Sequence, residues 1–205
     1  MIKNIIFDMG NVLLRFDPDA FMTHAGVADE DRELLRREIF QSLEWVRMDR
    51  GFITDAQAAE LMCRRVPERL RETVVKLVTA WDDPITEIPG MYPLVEELKG
   101  LGYGIYLLSN ASLRQHEYWP RIPASRFFDG TLISSDVHLV KPQPEFYMLL
   151  CHTFSLRPEE CFFIDDVPLN MEGAHYCGIQ GAVFHNDMAQ LRQKLIDAGV
   201  PVKPE

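Results

Sequence analysis

The chain has 205 residues, which is enough for one α/β domain with a sizeable insertion and too few for two domains of average size. With 47% apolar and 25% charged residues, its composition is that of a globular protein and argues against disorder or a fibrous repeat. Acidic residues outnumber basic residues by 31 to 21, and the net charge of −10 argues against a broad basic surface that holds nucleic acid or an anionic membrane. A small anionic ligand bound locally is compatible with this charge.

The N-terminal apolar run is short, since only Ile5 to Phe7 precede Asp8. A signal peptide needs an apolar stretch of roughly 7–15 residues, and a membrane span needs about 20. The cysteines are scattered without a Cys-x-x-Cys pair, which predicts reduced thiols that pack as small apolar side chains: Cys63, Cys151, Cys161 and Cys177. We therefore expect a soluble cytoplasmic protein, as a monomer or weak homodimer, with no membrane or nucleic-acid partner.

Apolar runs along the chain predict buried strands, and amphipathic patterns between the later runs predict helices. The strand-like runs are residues 5–7, 103–108, 130–133, 161–164 and 181–184, and the helical patterns are 91–101, 146–154 and 188–195. Most of these runs are apolar on both faces, as in strands that helices cover on each side. The alternation predicts an α/β fold, namely a Rossmann-like three-layer core with a mostly parallel sheet.

One segment interrupts this alternation. Residues 18–83 contain no convincing strand, only charged amphipathic segments that predict helices at 29–43, 54–65 and 68–80, the second with Thr54 or Asp55 as its N-cap and a turn at 47–51 before it. We interpret 18–83 as a helical cap inserted into an α/β catalytic core formed by 1–17 and 84–205. The last five residues, 201–205, are predicted to be a frayed tail.

Polar residues stand where the predicted strands end. Asp8 follows the first strand, Ser109 and Asn110 follow the second, and the pair Asp165 and Asp166 follows the fourth. Lys141 lies just before a helix that begins with proline. Ligands of open α/β sheets bind outside the carboxyl ends of the strands, so these residues are expected to meet at one edge.

This set of side chains suits phosphoryl transfer to a carboxylate. A carboxylate attacks phosphorus, the lysine, the hydroxyl and loop N–H groups hold the phosphate oxygens, and a hard cation such as Mg²⁺ offsets the negative charge. Each residue also has a simpler explanation, since Asp8 could end a turn, Lys141 could be solvated, and Asp165 with Asp166 could cap the helix near Pro168. It is the occurrence of all these residues in this order along the chain that favours phosphoryl transfer over the simpler explanations.

The ordered set resembles the four motifs of the haloacid dehalogenase (HAD) superfamily of hydrolases. The matching residues are 8–13, 108–110, 141–142 and 164–166 with Asn170, and the resemblance runs to about residue 185. The helical insert stands where that superfamily has its C1 cap. The opening Asp-x-Gly-Asn-Val is most similar to bacterial sugar phosphatases that hydrolyse α-D-glucose 1-phosphate, which implies a Mg²⁺-dependent phosphatase acting on a small phosphorylated metabolite.

The resemblance also implies residue roles. Asp8 would be the nucleophile that forms an aspartyl-phosphate, with Lys141 bridging Asp8 and the phosphate. The phosphate would be bound by Met9, Gly10, Ser109, Asn110 and Lys141. The metal would be held by Asp8, the backbone carbonyl of Gly10 and Asp166, with Asp165 acting through water or from behind the direct ligands.

One position departs from the phosphatase pattern. Phosphatases of this superfamily usually place a second aspartate two residues after the nucleophile, as general acid and base, and here that position is Gly10. Such catalysis is typically worth about 10²–10⁴-fold. The sequence offers Asp17, Asp19, His24 and Asp49 as substitutes, and it predicts that p-nitrophenyl phosphate is hydrolysed even where natural esters are slow.

Other functions stay open. A dehalogenase would use the same aspartate without a metal, a catalytically weak HAD-like binding protein would explain Gly10, and a signalling receiver domain has the same residue types in another order. Substrate choice is expected to rest with the cap. Possible contacts there and in the core are Arg15, Trp45, Arg47 and Arg114.

Overall fold

The computed structural model describes residues 1–204 and contains one five-stranded parallel sheet in the order β3-β2-β1-β4-β5. The strands are β1 (Asn4–Phe7), β2 (Gly104–Ser109), β3 (Gly130–Ile133), β4 (Cys161–Asp165) and β5 (Gln180–Val183). Each corresponds to one of the apolar runs, so the predicted α/β class and Rossmann-like parallel sheet are confirmed.

The register of the sheet brings the predicted site residues to one edge. Phe7, the last residue of β1, pairs with Leu107 of β2 on one side and with Ile164 of β4 on the other. The backbone N–H of Asp8 donates to the carbonyl of Ile164 at 2.9 Å. The residues that follow these three strands therefore lie side by side.

Residues 18–83 form helices that pack around an apolar cluster of their own, whose buried members lie between Met22 and Val78. The helices are α1 (Pro18–His24), α2 (Asp29–Leu35), α3 (Leu43–Asp49), α4 (Asp55–Cys63) and α5 (Arg71–Thr79), with a 3-10 turn at Glu68–Leu70. Thr54 is the N-cap of α4, and its hydroxyl and the side chain of Gln57 form a reciprocal capping box.

Helices cover both faces of the sheet. They are α6 (Met91–Gly100), α7 (Gln115–Tyr118), α8 (Ser134–Val137), α9 (Pro144–Thr153), α10 (Pro168–Tyr176) and α11 (Met188–Asp197), with 3-10 turns at Trp119–Arg121, Pro123–Phe127 and Pro158–Glu160. Ile5 and Phe7 belong to the apolar cluster on one face, and Ile6 belongs to the cluster on the other. Because neighbouring strand residues point to opposite faces, a strand covered on both sides is apolar throughout.

The inserted helices differ from the prediction in three places. A single helix is predicted over 29–43, but the regular α-helix α2 ends at Leu35 and a π-helical segment follows it at Arg36–Phe40. The turn predicted over 47–51 is wrong, because α3 extends to Asp49 and only the residues after it turn. Ser42 explains the break, since its hydroxyl accepts from the N–H of Trp45 and starts a new helix. Helix α1 was not predicted, although Asp17 caps it.

The C-terminal segment is ordered where a frayed tail was predicted, except that Glu205 lies outside the described residues. Val202 is buried in the core. The N–H of Lys203 donates to Glu97 Oε1 at 2.6 Å, and its carbonyl accepts from Arg192 at 2.9 Å. The contact with Glu97 joins residues 106 apart in sequence, so no local pattern of the polar, proline-containing segment indicates it.

All four cysteines are free thiols, two buried and two partly buried. Among residues 1–204, no helix combines the length and the apolar character that crossing a bilayer requires.

Candidate active site

A cavity of about 260 Å³ lies between the carboxyl edge of the sheet and the inserted helices. Its core side is formed by the predicted residues Asp8, Met9, Gly10, Ser109, Asn110, Lys141 and Asp166. Its other side is mostly apolar and includes Phe16, Trp45, Met48, Val78, Trp81 and Tyr118. The structure thus brings all the predicted site residues together, and all but Asp165 line the cavity; Asp165 is fully buried beside Lys141.

Lys141 links two carboxylates at the floor of the cavity. Its Nζ lies 2.6 Å from Asp8 Oδ1 and 2.7 Å from Asp165 Oδ2. Burial lowers the pKa of Lys141, but the two carboxylates outweigh burial and raise the pKa above its ordinary value. The ammonium group is therefore a permanent positive charge next to Asp8.

The loop that carries Lys141 is tied to the loop after β2. The N–H of Lys141 donates to Asn110 Oδ1 at 2.8 Å, and Asn110 Nδ2 donates to the carbonyl of Lys141 at 3.1 Å. This reciprocal pair fixes the side-chain amide of Asn110 and, with it, the two loops relative to each other. Ser109, at the end of β2, is buried and lines the cavity.

Burial raises the pKa of Asp8 to about 7. Lys141 opposes this rise, and the neighbouring carboxylate of Asp165 adds to it. A nucleophilic carboxylate must be deprotonated, so an additional positive charge beside Asp8 would favour the reactive form.

Asp165 is held by donors on all sides. Its Oδ1 accepts from the N–H of Val167 at 2.8 Å, and both of its oxygens accept from Asn170 Nδ2, at 3.0 and 3.1 Å. Lys141 occupies Oδ2 as well. Because both oxygens of Asp165 already accept hydrogen bonds, this carboxylate can orient Lys141 but is poorly placed to coordinate a cation directly. This favours an indirect role for Asp165 in metal binding.

Asp166 differs from Asp165 in that it is partly exposed and lines the cavity. Its Oδ2 accepts from Asn11 Nδ2 at 3.2 Å. Burial raises the pKa of Asp166, against the opposing hydrogen bond from Asn11. Asp166 is therefore the carboxylate of the pair that can reach a ligand.

Carboxylate oxygens of Asp8, Asp165 and Asp166 lie within 4.8 Å of one another. Mg²⁺ keeps several waters and takes one or two carboxylates together with phosphate oxygens. Asp8 and Asp166 supply that number while Asp165 is occupied by its own donors. The residues present therefore fit Mg²⁺.

Of the substitutes considered for the missing acid at Gly10, only Asp49 lines the cavity. Asp17 caps α1, Asp19 pairs with Arg36, and His24 lies with Asp17 in a smaller pocket between the core and the inserted helices.

Of the four residues predicted as possible substrate contacts, only Trp45 lines the cavity. Arg15 and Arg47 are not part of the cavity lining, and Arg114 pairs with the buried carboxylate of Asp82 at 2.6 Å. Sequence reasoning missed Ser134, whose hydroxyl accepts from the N–H of Ala111 at 2.9 Å and donates to the carbonyl of Asp49 at 2.5 Å. No local pattern marks such a serine, because both partners come from other parts of the chain.

Comparison with known proteins agrees with this geometry. A sequence model described as haloacid dehalogenase-like hydrolase matches residues 2–178. A phosphorylated carbohydrates phosphatase of Thermotoga maritima is 25% identical over 213 residues, covering 100% of this chain and 95% of that protein. Flavin mononucleotide hydrolase 1 of Arabidopsis thaliana is 29% identical over 115 residues, covering 56% of this chain and 46% of that protein.

The fold is also found among solved structures. A HAD family enzyme of Bacteroides thetaiotaomicron, crystallised with magnesium and inorganic phosphate, superposes with a TM-score of 0.74 at 21% identity, covering 93% of this chain and 99% of that one. At this identity the likeness concerns the fold. Because the family match spans most of the residues, including every strand of the sheet except β5, the chain belongs to the haloacid dehalogenase-like hydrolase family.

Proposed function

We propose that this protein is a Mg²⁺-dependent phosphatase that hydrolyses a small phosphorylated metabolite through an aspartyl-phosphate on Asp8. The observation that carries the proposal is the Lys141 ammonium group, 2.6 Å from Asp8 and 2.7 Å from Asp165, with Asp166 facing the same cavity. A nucleophile, a fixed cation and a metal-binding carboxylate then meet at one point, which is what attack on a phosphate dianion requires.

The reaction begins with attack by a carboxylate oxygen of Asp8 on phosphorus, and the bond from phosphorus to the ester oxygen breaks. Lys141, the Ser109 hydroxyl and the backbone N–H groups of Met9, Gly10 and Asn110 hold the phosphate oxygens. Mg²⁺ bound by Asp8, Asp166 and the carbonyl of Gly10 would supply the positive charge that offsets repulsion between the carboxylate and the phosphate. Water then attacks the aspartyl-phosphate, which releases inorganic phosphate and restores Asp8.

Residues 18–83 serve as the cap in this proposal, over a core formed by 1–17 and 84–205. The cap supplies Trp45, Met48 and Val78 to the cavity wall, so it contacts the leaving group and excludes water from the reacting atoms. Substrate choice would follow from these side chains.

We infer a sugar phosphate such as glucose 1-phosphate as the substrate. The support is the cavity of about 260 Å³, small enough to select a leaving group of monosaccharide scale, and the aromatic side chains of Phe16, Trp45 and Trp81 in its wall, which can pack against the C–H faces of a sugar ring. The Thermotoga maritima relative is named for phosphorylated carbohydrates, which points in the same direction.

A phosphatase screen tests the proposal. The protein is assayed for phosphate release from phosphorylated metabolites and p-nitrophenyl phosphate, with Mg²⁺ and with EDTA. We expect Mg²⁺-dependent release that Asp8→Asn abolishes and that Asp197→Asn, an exposed change on α11, leaves intact. A folded wild-type protein that releases no phosphate, or releases halide from 2-haloacids without a metal, would overturn it in favour of the dehalogenase or binding-protein alternatives.

A further inference from the structure

We propose that Asp49, on the inserted helix α3, is the general acid and base of this reaction and replaces the carboxylate that Gly10 lacks; this inference rests on the proposed phosphatase function. An alkoxide leaving group needs a proton as its bond to phosphorus breaks, and the attacking water must lose one. Gly10 provides neither. The group that does must come from another element that faces Asp8.

Asp49 lines the same cavity as Asp8. It is the last residue of α3 and lines the cavity from the cap side, while Asp8, Ser109 and Lys141 line it from the core side. Among residues 1–204, no group donates a hydrogen bond to the carboxyl group of Asp49. The carboxylate of Asp165, in contrast, accepts hydrogen bonds from Val167 and Asn170. Asp49 as a residue is partly exposed, and its carboxyl group is free to hold a proton or give one up.

The segment that carries Asp49 is docked on the core. Ser134 Oγ donates to the carbonyl of Asp49 at 2.5 Å, and His138 Nδ1 donates to the carbonyl of Arg50 at 2.7 Å. Gly51 has a φ of +67°, and a Cβ there would lie 2.1 Å from the carbonyl oxygen of Ser135. Three consecutive cap residues are therefore fixed to core residues around α8, and this holds Asp49 in a defined position relative to Asp8.

The surroundings of Asp49 favour its protonated form. Burial raises the pKa of Asp49 to about 7, the carboxylates of Asp55 and Asp8 add to the rise, and Lys141 opposes it. Tyr118 is a further titratable group in the same wall, and its own pKa is raised far above the physiological range by burial. A carboxyl group that titrates near neutral pH can act both as acid and as base.

Asp49 alone can donate the proton needed in the first step and accept the proton released in the second. In the first step Asp8 forms its bond to phosphorus, the ester P–O bond breaks, and the Asp49 proton moves to the leaving oxygen to give the alcohol. In the second step the Asp49 carboxylate takes a proton from the water that attacks phosphorus, and the bond from phosphorus to Asp8 breaks. The products are inorganic phosphate, the free Asp8 carboxylate and a protonated Asp49.

Two phosphate monoesters of nearly equal size, one aryl and one benzyl, test this role. The nitrophenolate of p-nitrophenyl phosphate leaves without a proton, whereas the alkoxide of p-nitrobenzyl phosphate requires one. We expect Asp49→Asn to lower turnover of p-nitrobenzyl phosphate by about 10²–10⁴-fold. With p-nitrophenyl phosphate the same variant should release a burst of nitrophenolate equal to the enzyme concentration, followed by slow turnover, because only the second step then lacks its base.

Three controls separate the outcomes. Asp49→Glu should restore part of the turnover of both esters. Asp29→Asn, an exposed change on α2, should leave the turnover of both esters at the wild-type level. If Asp49→Asn does not fold, Asp49→Ala takes its place in the comparison of the two esters. The role of Asp49, but not the phosphatase function, would be refuted by either of two results. One is that Asp49→Asn and wild type hydrolyse the benzyl ester with equal kinetics, and the other is that the variant loses the same first-step rate on both esters. A wild-type protein inactive on both esters would refute the phosphatase function itself.

Discussion

The contact between Gly51 and the core offers a sharp test of how the cap is seated. Gly51 has a positive φ of +67°, and a methyl group in the Gly51→Ala variant would lie 2.1 Å from the Ser135 carbonyl oxygen, where real contacts begin at 3.0 Å. The obstructing atom is backbone, so no side chain can turn aside. The cap segment must therefore lift from the core by roughly 1 Å, a displacement at which a mispositioned catalytic group can cost about 10²-fold in rate.

A matched variant isolates this displacement from backbone strain. Gly26, between α1 and α2, has a φ of +71°, and a Cβ there meets nothing within 4 Å. Gly26→Ala should lose about 1–2 kcal/mol of stability, because alanine is strained in the left-handed region, and Gly51→Ala should lose at least as much, since the clash adds to this strain. Only Gly51→Ala should also lose about 10²-fold in kcat/KM on p-nitrobenzyl phosphate.

The assay compares kcat/KM of the two variants at a temperature well below both melting transitions, with unfolding in urea as the stability measurement. If both variants keep wild-type kcat/KM, or if both lose it equally, the docking of Gly51 on Ser135 does not position Asp49.

Three further outcomes follow from the surroundings of single polar side chains. Asp82→Asn should cost about 2 kcal/mol in urea unfolding, because the buried carboxylate of Asp82 loses its charge-assisted hydrogen bond to Arg114. Tyr147→Phe should cost about 1–2 kcal/mol, since the Tyr147 hydroxyl donates to the Asn170 carbonyl at 2.6 Å in the core, and an unchanged urea midpoint would contradict this. Because burial raises the pKa of Asp49 from 3.8 to about 7, the folded state binds its proton more tightly than the unfolded state. Wild-type stability should therefore fall relative to Asp49→Asn as pH rises from about 4 to about 7, by up to ~4 kcal/mol, in thermal melts with EDTA.

The sequence predicts those parts of the molecule that depend on local pattern. A run such as Ile5 to Phe7 is apolar on both faces because helices cover both faces, so the strands and their order along the chain can be read directly. The site residues follow from the same logic, since a polar residue after a buried strand of a parallel sheet lies at the ligand-binding edge.

What the sequence did not predict depends on contacts between distant residues or on a single capping side chain. The position of Asp49 is set by Ser134, 85 residues later, and the C-terminal segment is held by Glu97, 106 residues earlier than Lys203. The break between α2 and α3 follows from a single serine, Ser42, within an otherwise helical pattern. None of these contacts leaves a periodic signal in the chain.

The central place of β1 in the sheet has a consequence for how the protein is made. Asn4 pairs with Gly104 on one side and with Cys161 on the other, so β1 has both neighbours only after β4 has been synthesised. The apolar cluster between Met22 and Val78 comes from one continuous stretch and can gather much earlier. On the ribosome, the helices of residues 18–83 therefore have their partners long before the first strand does. Asp8 is synthesised before these helices and is enclosed in its site only after β4 has formed.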